Sequence, residues 1–523
     1  MAAKAMAAVN EGRTTFVQEH HRKVFFDWME NIHDWNVSRQ LWWGHRIPAW
    51  YCSDGHITVS DALEGPGACA VCAKPRAELH QEEDIFDTWF SSGLWPWSTL
   101  GWPDATPDLE KYYPTTVMET GYDILFFWVA RMMMLGETLT GREPFRYVYL
   151  HGIVRDPQGQ KMSKSKGNVL DPLGVINELG ADALRFALLH GPDPSQDQKM
   201  SRQRLEDARN FANKIWNAAR FVLSVRPAEI PAEFQLGLVD TDHLGPADHW
   251  MLERCAATLA AVESAYANFE FGEVARLLYD AIWNDFCDWY IELAKIGLSH
   301  ASALPERKRA IWSTLTWVLD VYLRLLHPLM PMLTEEIWGK LPNRATDPEL
   351  LIIAPWPLAS DTAVVADARL ADGATALIDL VRAIRAARAE SAIEASEILP
   401  AQIWLNQGPA RAAYAQMDGA LARLARVQPA LVDERAALAD GLAVVTGAAE
   451  ARLTRSQADR EREQARLEKE LRNVDAQLAA TSSRLADSGF TGRAPAEVVE
   501  QTRRRAAELA EQSAALKSRL KGS

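Results

Sequence analysis

The chain has 523 residues, 48% of them apolar, and a net charge of −14. That length exceeds one ordinary core, so several domains are expected. The acidic balance weighs against indiscriminate nucleic-acid binding and leaves RNA contact to local basic patches. No apolar run approaches the roughly 20 residues of a membrane helix, and no secretory h-region is present, so a soluble, cytoplasmic chain without membrane contact is expected.

In chain order, residues 1–24 are alanine-rich and then charged, with no strong element of their own. Residues 25–50 carry Trp28, Trp35, Trp42, Trp43 and Trp50, and packing is the expected use of most of them. Next come Cys52-x3-His56 and Cys69-x2-Cys72, which hold three of the five cysteines. Two close ligand pairs on a glycine-bearing loop suit a structural zinc ion, and the alternative is a loop whose cysteines bind nothing. Cys255 and Cys287 lie in helical patterns and are expected in cores. Asp87 and Thr88 read as a cap and turn before Trp89. Residues 116–136 pass from a strand through Thr120 and Gly121 into an apolar helix carrying Asp123, Ile124 and Trp128. A strand-to-helix turn of this kind receives a nucleotide in doubly wound sheets, although Asp123 also fits a plain helix cap.

Residues 147–172 open with an apolar run that reads as a buried strand, followed by a polar turn and Lys161-Met162-Ser163-Lys164-Ser165. Ammonium groups and hydroxyls just beyond a buried strand suit a polyphosphate. The five residues are the KMSKS motif of class I aminoacyl-tRNA synthetases, and the frame HGIVRD through KMSKSKGNVLDP resembles the valyl enzymes. Gly121-Tyr122-Asp123-Ile124-Leu125 is similar to the valyl form of its turn, where isoleucyl enzymes carry Gly-Ser-Asp-Gln-His.

The resemblance implies ATP, with Mg2+, as substrate together with valine and tRNA(Val). It implies Lys161, Ser163 and Lys164 as catalytic residues, and Thr120, Gly121, Asp123 and Lys164 as adenylate-binding residues. Trp89, Ile124 and Trp128 would form the valine pocket. The tetrad Cys52, His56, Cys69 and Cys72 is the candidate metal site, a feature the family does not share uniformly.

Beyond the loop, residues 174–191 read as helix interrupted at Gly180, with Asp182 and Arg185 spaced to pair at i, i+3. Long amphipathic helices to about residue 341 form a bundle that resembles the anticodon-binding domain of the family, with Thr334 as a plausible N-cap. A helix over 375–390 and strands over 401–405 and 442–445 suggest a small α/β linker. Leu467, Leu471, Val474, Leu478 and Leu485, then Val498, Thr502, Leu509, Leu516 and Leu520, form heptad seams. Arg455, Arg460, Arg462, Arg466, Arg472, Arg503, Arg504 and Arg505 decorate them, resembling the family's tRNA-embracing arm.

The expected fold is an α/β partial Rossmann-type catalytic domain, then an α-helical bundle, a small α/β linker and a C-terminal antiparallel coiled-coil hairpin. The divisions are 1–24, a remnant of the segment returning from the editing insertion, then 25–195, the second catalytic half, with a zinc loop at 52–80 and the lysine loop at 147–172. The bundle takes 196–345, the linker 346–450 and the arm 451–523. No His-x-Gly-His occurs in the sequence. The expectation is therefore a valine-tRNA ligase portion that is inactive alone, monomeric as in the family or paired with an N-terminal half. The alternative is a non-catalytic tRNA-binding chain.

Overall fold

A computed structural model describes residues 1–163, 166–191, 193, 195–230, 241–300, 303–342, 344, 346–358, 366–391, 393–406, 408–417, 419–454, 457–487, 489, 492 and 495–522. The apolar run at 147–154, expected as one buried strand, divides: the strand Phe145–His151 begins two residues earlier, with Val148 and Leu150 fully buried, and Val154–Arg155 pairs separately with Gln198–Lys199. Phe145–His151 lies at the centre of a parallel sheet, with Thr15–Phe16 on one side and Thr115–Gly121 on the other. The helix Ala130–Leu139 connects the two longer strands, giving a Rossmann-like βαβ unit. Its Met132 and Met133 share one core with Phe145, Phe25, Met29 and Val9.

Residues 1–24, expected to lack structure of their own, instead form the helix Ala2–Asn10, the strand Thr15–Phe16 and the start of the helix Glu19–Glu30. Alanine favours helix intrinsically but gives little hydrophobic periodicity, and Ala2–Asn10 is placed by packing on the helices Ala130–Leu139 and Glu19–Glu30, in one core with Phe145 and Val148. Thr14 is fully buried and donates to the Phe145 carbonyl at 2.8 Å. The tryptophan-rich stretch also divides. Trp50 is buried, whereas Trp42 and Trp43 stand fully in solvent on the loop after Ser38–Arg39, against the expectation of packing.

The bundle comprises Arg202–Ser224, Pro246–Ala267, the continuous helical run from Phe271 to Ser299, and Pro305–Leu326. Almost the whole of Pro305–Leu326 after its charged first turn is buried, and the polar groups it carries inward are paired: Thr314 and Thr316 donate to carbonyls one turn back, and Arg324 donates to Asp320. Two local expectations are corrected. Asp182 and Arg185 do not pair with each other: Asp182 accepts from the Met332 and Leu333 amides, and Arg185 donates to the Pro328 and Leu329 carbonyls. Arg185 therefore fastens its helix to the proline-broken turn at 327–331, and Asp182 fastens the same helix to the first turn of Pro331–Trp338. Thr334 lies inside the helix Pro331–Trp338, whose N-cap is Met330, and its hydroxyl bonds back to the Met330 carbonyl.

After the bundle, a four-stranded sheet runs in the order Val427–Val432, Leu399–Leu405, Ala449–Leu453, Leu442–Val445, covered by the helix Ala368–Glu390. Sequence patterning missed Val427–Val432 because Pro429 interrupts it. The strand sits at the sheet edge, where a residue without an N–H is tolerated. The helices Gln457–Ala486 and Ala496–Gly522 pack along one another, with Ser513 donating to Asp475 at 2.6 Å. Leu509 and Leu516 are buried, but Val499 takes the inward position expected of Val498, which is 39% exposed. Arg472, Arg503, Arg504 and Arg505 are exposed; Arg455 lies outside the described residues, as do the side chains of Arg460, Arg462, Arg466 and Leu467. Among the described residues no helix is long and apolar enough to cross a membrane.

Candidate functional site

Because Thr115–Gly121 and Phe145–His151 run parallel with Gly121 opposite His151, their C-terminal ends open side by side at one sheet edge. Ligands of open α/β sheets gather at such ends. After Gly121 the chain makes a single 3-10 turn, Tyr122–Ile124. A Cβ on Gly121 would sit 2.9 Å from Asp123 Oδ1 and 3.3 Å from Ile153 Cδ1, so a larger residue there would push these two side-chain ends aside.

The lysine loop meets that turn. Lys161 Nζ lies 3.3 Å from Asp123 Oδ2, with both groups open to solvent. The base of the loop is knotted through Asp156, which accepts from the Gln160 amide at 2.7 Å and from Asn168 Nδ2 at 2.9 Å. Donation from Asn168 and from the backbone holds the Asp156 carboxyl below the usual carboxylate range. Asn168 Oδ1 in turn accepts from the Ser163 amide at 2.9 Å. Ser163 is thus positioned through its main chain, while Lys164 and Ser165 lie outside the described residues. Thr120 is buried beneath the turn.

The expected side-chain pocket residues come from two short helices. Asp87 caps Thr88–Ser92 by accepting from the Trp89 amide at 2.9 Å, as its position implied. Its other oxygen takes Trp35 Nε1 at 3.2 Å and a close ion pair with Arg39. The Trp89 ring stacks on Phe127 with centroids 5.7 Å apart, and Trp128 Nε1 donates to the Ser92 carbonyl at 2.9 Å. Trp89 and Trp128 are therefore fixed to the same short helix, with Ile124 half-buried at the turn. Residues Leu125–Val129 form a π-helix rather than the expected α-helix. The wider turn alters the facing of Phe127 and Trp128, and such insertions recur at functional sites.

The cysteine loop folds as a separate small unit. Strands Ile57–Val59, Ala49–Cys52 and Leu79–Gln81 form an antiparallel sheet, and Gly55, with φ of +80°, makes the turn between Cys52 and His56. Ligand atoms of Cys52, His56, Cys69 and Cys72 all lie within 4.8 Å of one another. The Cys72 and Val71 amides pull the Cys69 thiol down to about 6. At Cys72 the Lys74 amide favours the thiolate, but burial and the sulfurs of Cys69 and Cys52 outweigh it and push the thiol up to about 11. Crowded sulfurs that resist simultaneous ionisation are the donor set a divalent cation stabilises.

Residues that pattern reading did not select also converge here. Asp197 accepts from the Ile153 amide and from Arg155, and His151 pairs with Glu119 at 3.1 Å. Asp197 is separated from Ile153 by 44 positions and lies in no motif, so only the fold reveals it.

Comparison with known proteins gives three matching family models. Residues 1–201 match tRNA synthetases class I (I, L, M and V). Residues 248–403 match the anticodon-binding domain of tRNA ligase, and 459–522 the valyl tRNA synthetase tRNA binding arm. Among curated relatives, the valine-tRNA ligase of Dehalococcoides mccartyi strain CBDB1 is 43% identical over 96% of this chain and 56% of its own length. That of Symbiobacterium thermophilum is 45% identical over 99% of this chain and 58% of its own. That of Geobacillus stearothermophilus is 43% identical over 98% and 56%. The chain thus spans a little over half the length of these relatives. A methionyl-tRNA synthetase from Mycobacterium tuberculosis, solved with methionyl-adenylate, superposes with a TM-score of 0.50 at 19% identity, covering 65% of this chain and 60% of that one. This last likeness is one of fold.

Proposed function

This chain belongs to the valyl-tRNA synthetase family of class I tRNA synthetases, and from that premise we propose that it supplies one side of the site in which valine and ATP become valyl-adenylate and pyrophosphate, the valyl group then passing to the 3′ end of tRNA(Val). The observation that carries this reading is the reach of Lys161 onto Asp123, which brings the KMSKS loop over the Gly121 turn. ATP, with its Mg2+, would displace that contact. Lys161 and Lys164 then meet phosphate oxygens as charge moves to the leaving pyrophosphate, and Ser163 adds a hydroxyl. Thr120, Gly121 and Asp123 take the adenylate, while Trp89, Ile124 and Trp128 enclose the isopropyl group of valine. One methylene in such a pocket is worth only about 1–3 kcal/mol of discrimination.

The division of labour follows the chain. Residues 25–195 serve the chemistry, 196–345 the anticodon arm and 346–450 a linker that the strand Ala449–Leu453 carries slightly further. Residues 451–523 form an antiparallel coiled-coil arm whose exposed arginines meet RNA phosphates without reading bases. The setting is the cytoplasm. Because no His-x-Gly-His is present in this sequence, the 523-residue chain is expected to give no valine-dependent ATP–pyrophosphate exchange unaided. Exchange should appear when a polypeptide carrying the His-x-Gly-His half of a relative is added. Lys164→Ala should then lower it about 100- to 1000-fold. Exchange by the purified chain alone overturns the first expectation, and an unchanged rate in Lys164→Ala overturns the role of the loop. The arginine-lined arm favours tRNA binding that is independent of catalysis, checked by titrating tRNA(Val) at two salt concentrations.

Cys52, His56, Cys69 and Cys72 would hold a structural zinc ion that closes the 52–80 loop. Metal analysis should find about one zinc per chain, and chelation or Cys69→Ser should loosen this loop while leaving the bundle intact. A chain purified without metal and unaffected by added zinc counts against the assignment.

A further inference from the structure

We propose that Asp197 is a positioning residue that couples the nucleotide turn at 121–124 to the base of the lysine loop, joining both to the first helix of the bundle. This rests on the reading that those two segments form the ATP site. One carboxylate reaches three places. It accepts from the Ile153 amide at 2.8 Å, where the central strand ends. It takes Arg155 through two guanidinium nitrogens, each at 2.5 Å, where the loop begins. It also accepts from Tyr122 Oη at 3.3 Å, the residue beside Asp123. Burial alone would raise its pKa, yet donation from Ile153, Arg155 and Tyr122 outweighs that and holds it below the usual range.

The backbone around Asp197 has little freedom. Gln198–Lys199 pairs in parallel with Val154–Arg155, and Gln198 is buried. A Cβ at Gly152 would lie 1.9 Å from the Gln196 carbonyl oxygen, so the two segments touch main chain to main chain. On its other side the segment runs directly into the helix Arg202–Ser224, whose Arg204 donates to Gln198 Oε1 and to the His190 carbonyl, each at 2.8 Å. A shift of that helix is thereby transmitted to Asp197, and through it to the turn and the loop together. Lys161 on Asp123 closes the circuit from the far end of the loop.

Deuterium exchange on the intact chain tests this, using wild type, Asp197→Asn, Asp197→Glu and Tyr122→Phe. In Asp197→Asn the amides of 121–124 and of 153–163 should both exchange at least tenfold faster, while 202–224 and 305–326 keep their protection. Tyr122→Phe should free 121–124 alone, and Asp197→Glu should restore protection to both segments. A residue that merely stabilises the fold would accelerate exchange in the bundle as well, and would not separate the asparagine from the phenylalanine variant. That outcome, or acceleration confined to Ile153, overturns the proposal. Equilibrium dialysis with ATP, in the presence of a polypeptide carrying the His-x-Gly-His half of a relative, provides the separate arm: about tenfold weaker binding is expected in Asp197→Asn. A wild-type chain that binds no ATP under these conditions overturns the ATP-site reading, and the exchange pattern still decides whether Asp197 couples the two segments.

Discussion

Asp320→Ala is expected to remove about 3–5 kcal/mol from the stability of the helical bundle. Asp320 is 1% exposed and accepts from Arg324 Nε at 3.1 and 3.2 Å, Trp338 Nε1 at 3.0 Å and Arg344 at 3.2 Å. Arg324 is nearly as deep and also reaches Asp347 at 2.8 Å and the Pro355 carbonyl at 3.2 Å. Burial alone would lower the Arg324 pKa, but Asp320 and Asp347 outweigh it and raise it. Removing Asp320 leaves a buried cation with one carboxylate partner in place of two and orphans the indole N–H of Trp338. Urea unfolding followed by circular dichroism, with exchange at 305–341, should show the loss in this region. Adding Arg324→Met should recover part of it, because the stranded charge leaves with its partner. An unchanged midpoint in the single variant removes the network from the account of stability.

Gly152→Ala is the second large effect. The new methyl would fall 1.9 Å from Gln196 O, 2.0 Å from its carbonyl carbon and 2.5 Å from the Asp197 amide nitrogen. These are backbone atoms, and rotation of a side chain does not relieve the clash. The 195–199 segment must separate from the strand end, breaking the Gln198 amide bond to the Ile153 carbonyl at 3.0 Å. Overpacking of this kind costs about 1–3 kcal/mol, and a contact this short lies at the upper end. Thermal unfolding and exchange at 153–155 and 196–200 measure it. Wild-type protection in those segments would show that the chain accommodates the methyl by another route.

Much of the candidate site was legible in the sequence because its parts are local. KMSKS, the Gly-Tyr-Asp turn, Asp87 capping before Trp89 and the two Cys/His pairs each lie within a few residues, where spacing alone implies a geometry. The bundle was equally legible, since helical periodicity is a short-range signal. Other features were not. The π-helix at Leu125–Val129 has the composition of any apolar helix. The alanine-rich Ala2–Asn10 has helix propensity but little apolar patterning, and its place against the helices Ala130–Leu139 and Glu19–Glu30 comes from the fold. Trp42 and Trp43 have the composition of core residues, and only their place on a loop leaves them in solvent.

The sequence by itself determined the family, the order of the segments and the residue types at each turn, because these reside in neighbours along the chain. The tertiary structure decided which of those residues meet. Lys161 and Asp123 are 38 positions apart, Asp182 and Leu333 are 151, and Asp197 and Tyr122 are 75. Such contacts depend on the parallel register that sets Gly121 beside His151 and on the close approach that Gly152 permits. Strand register and interatomic clearance arise from the packing of distant segments, and no local pattern of residues encodes them.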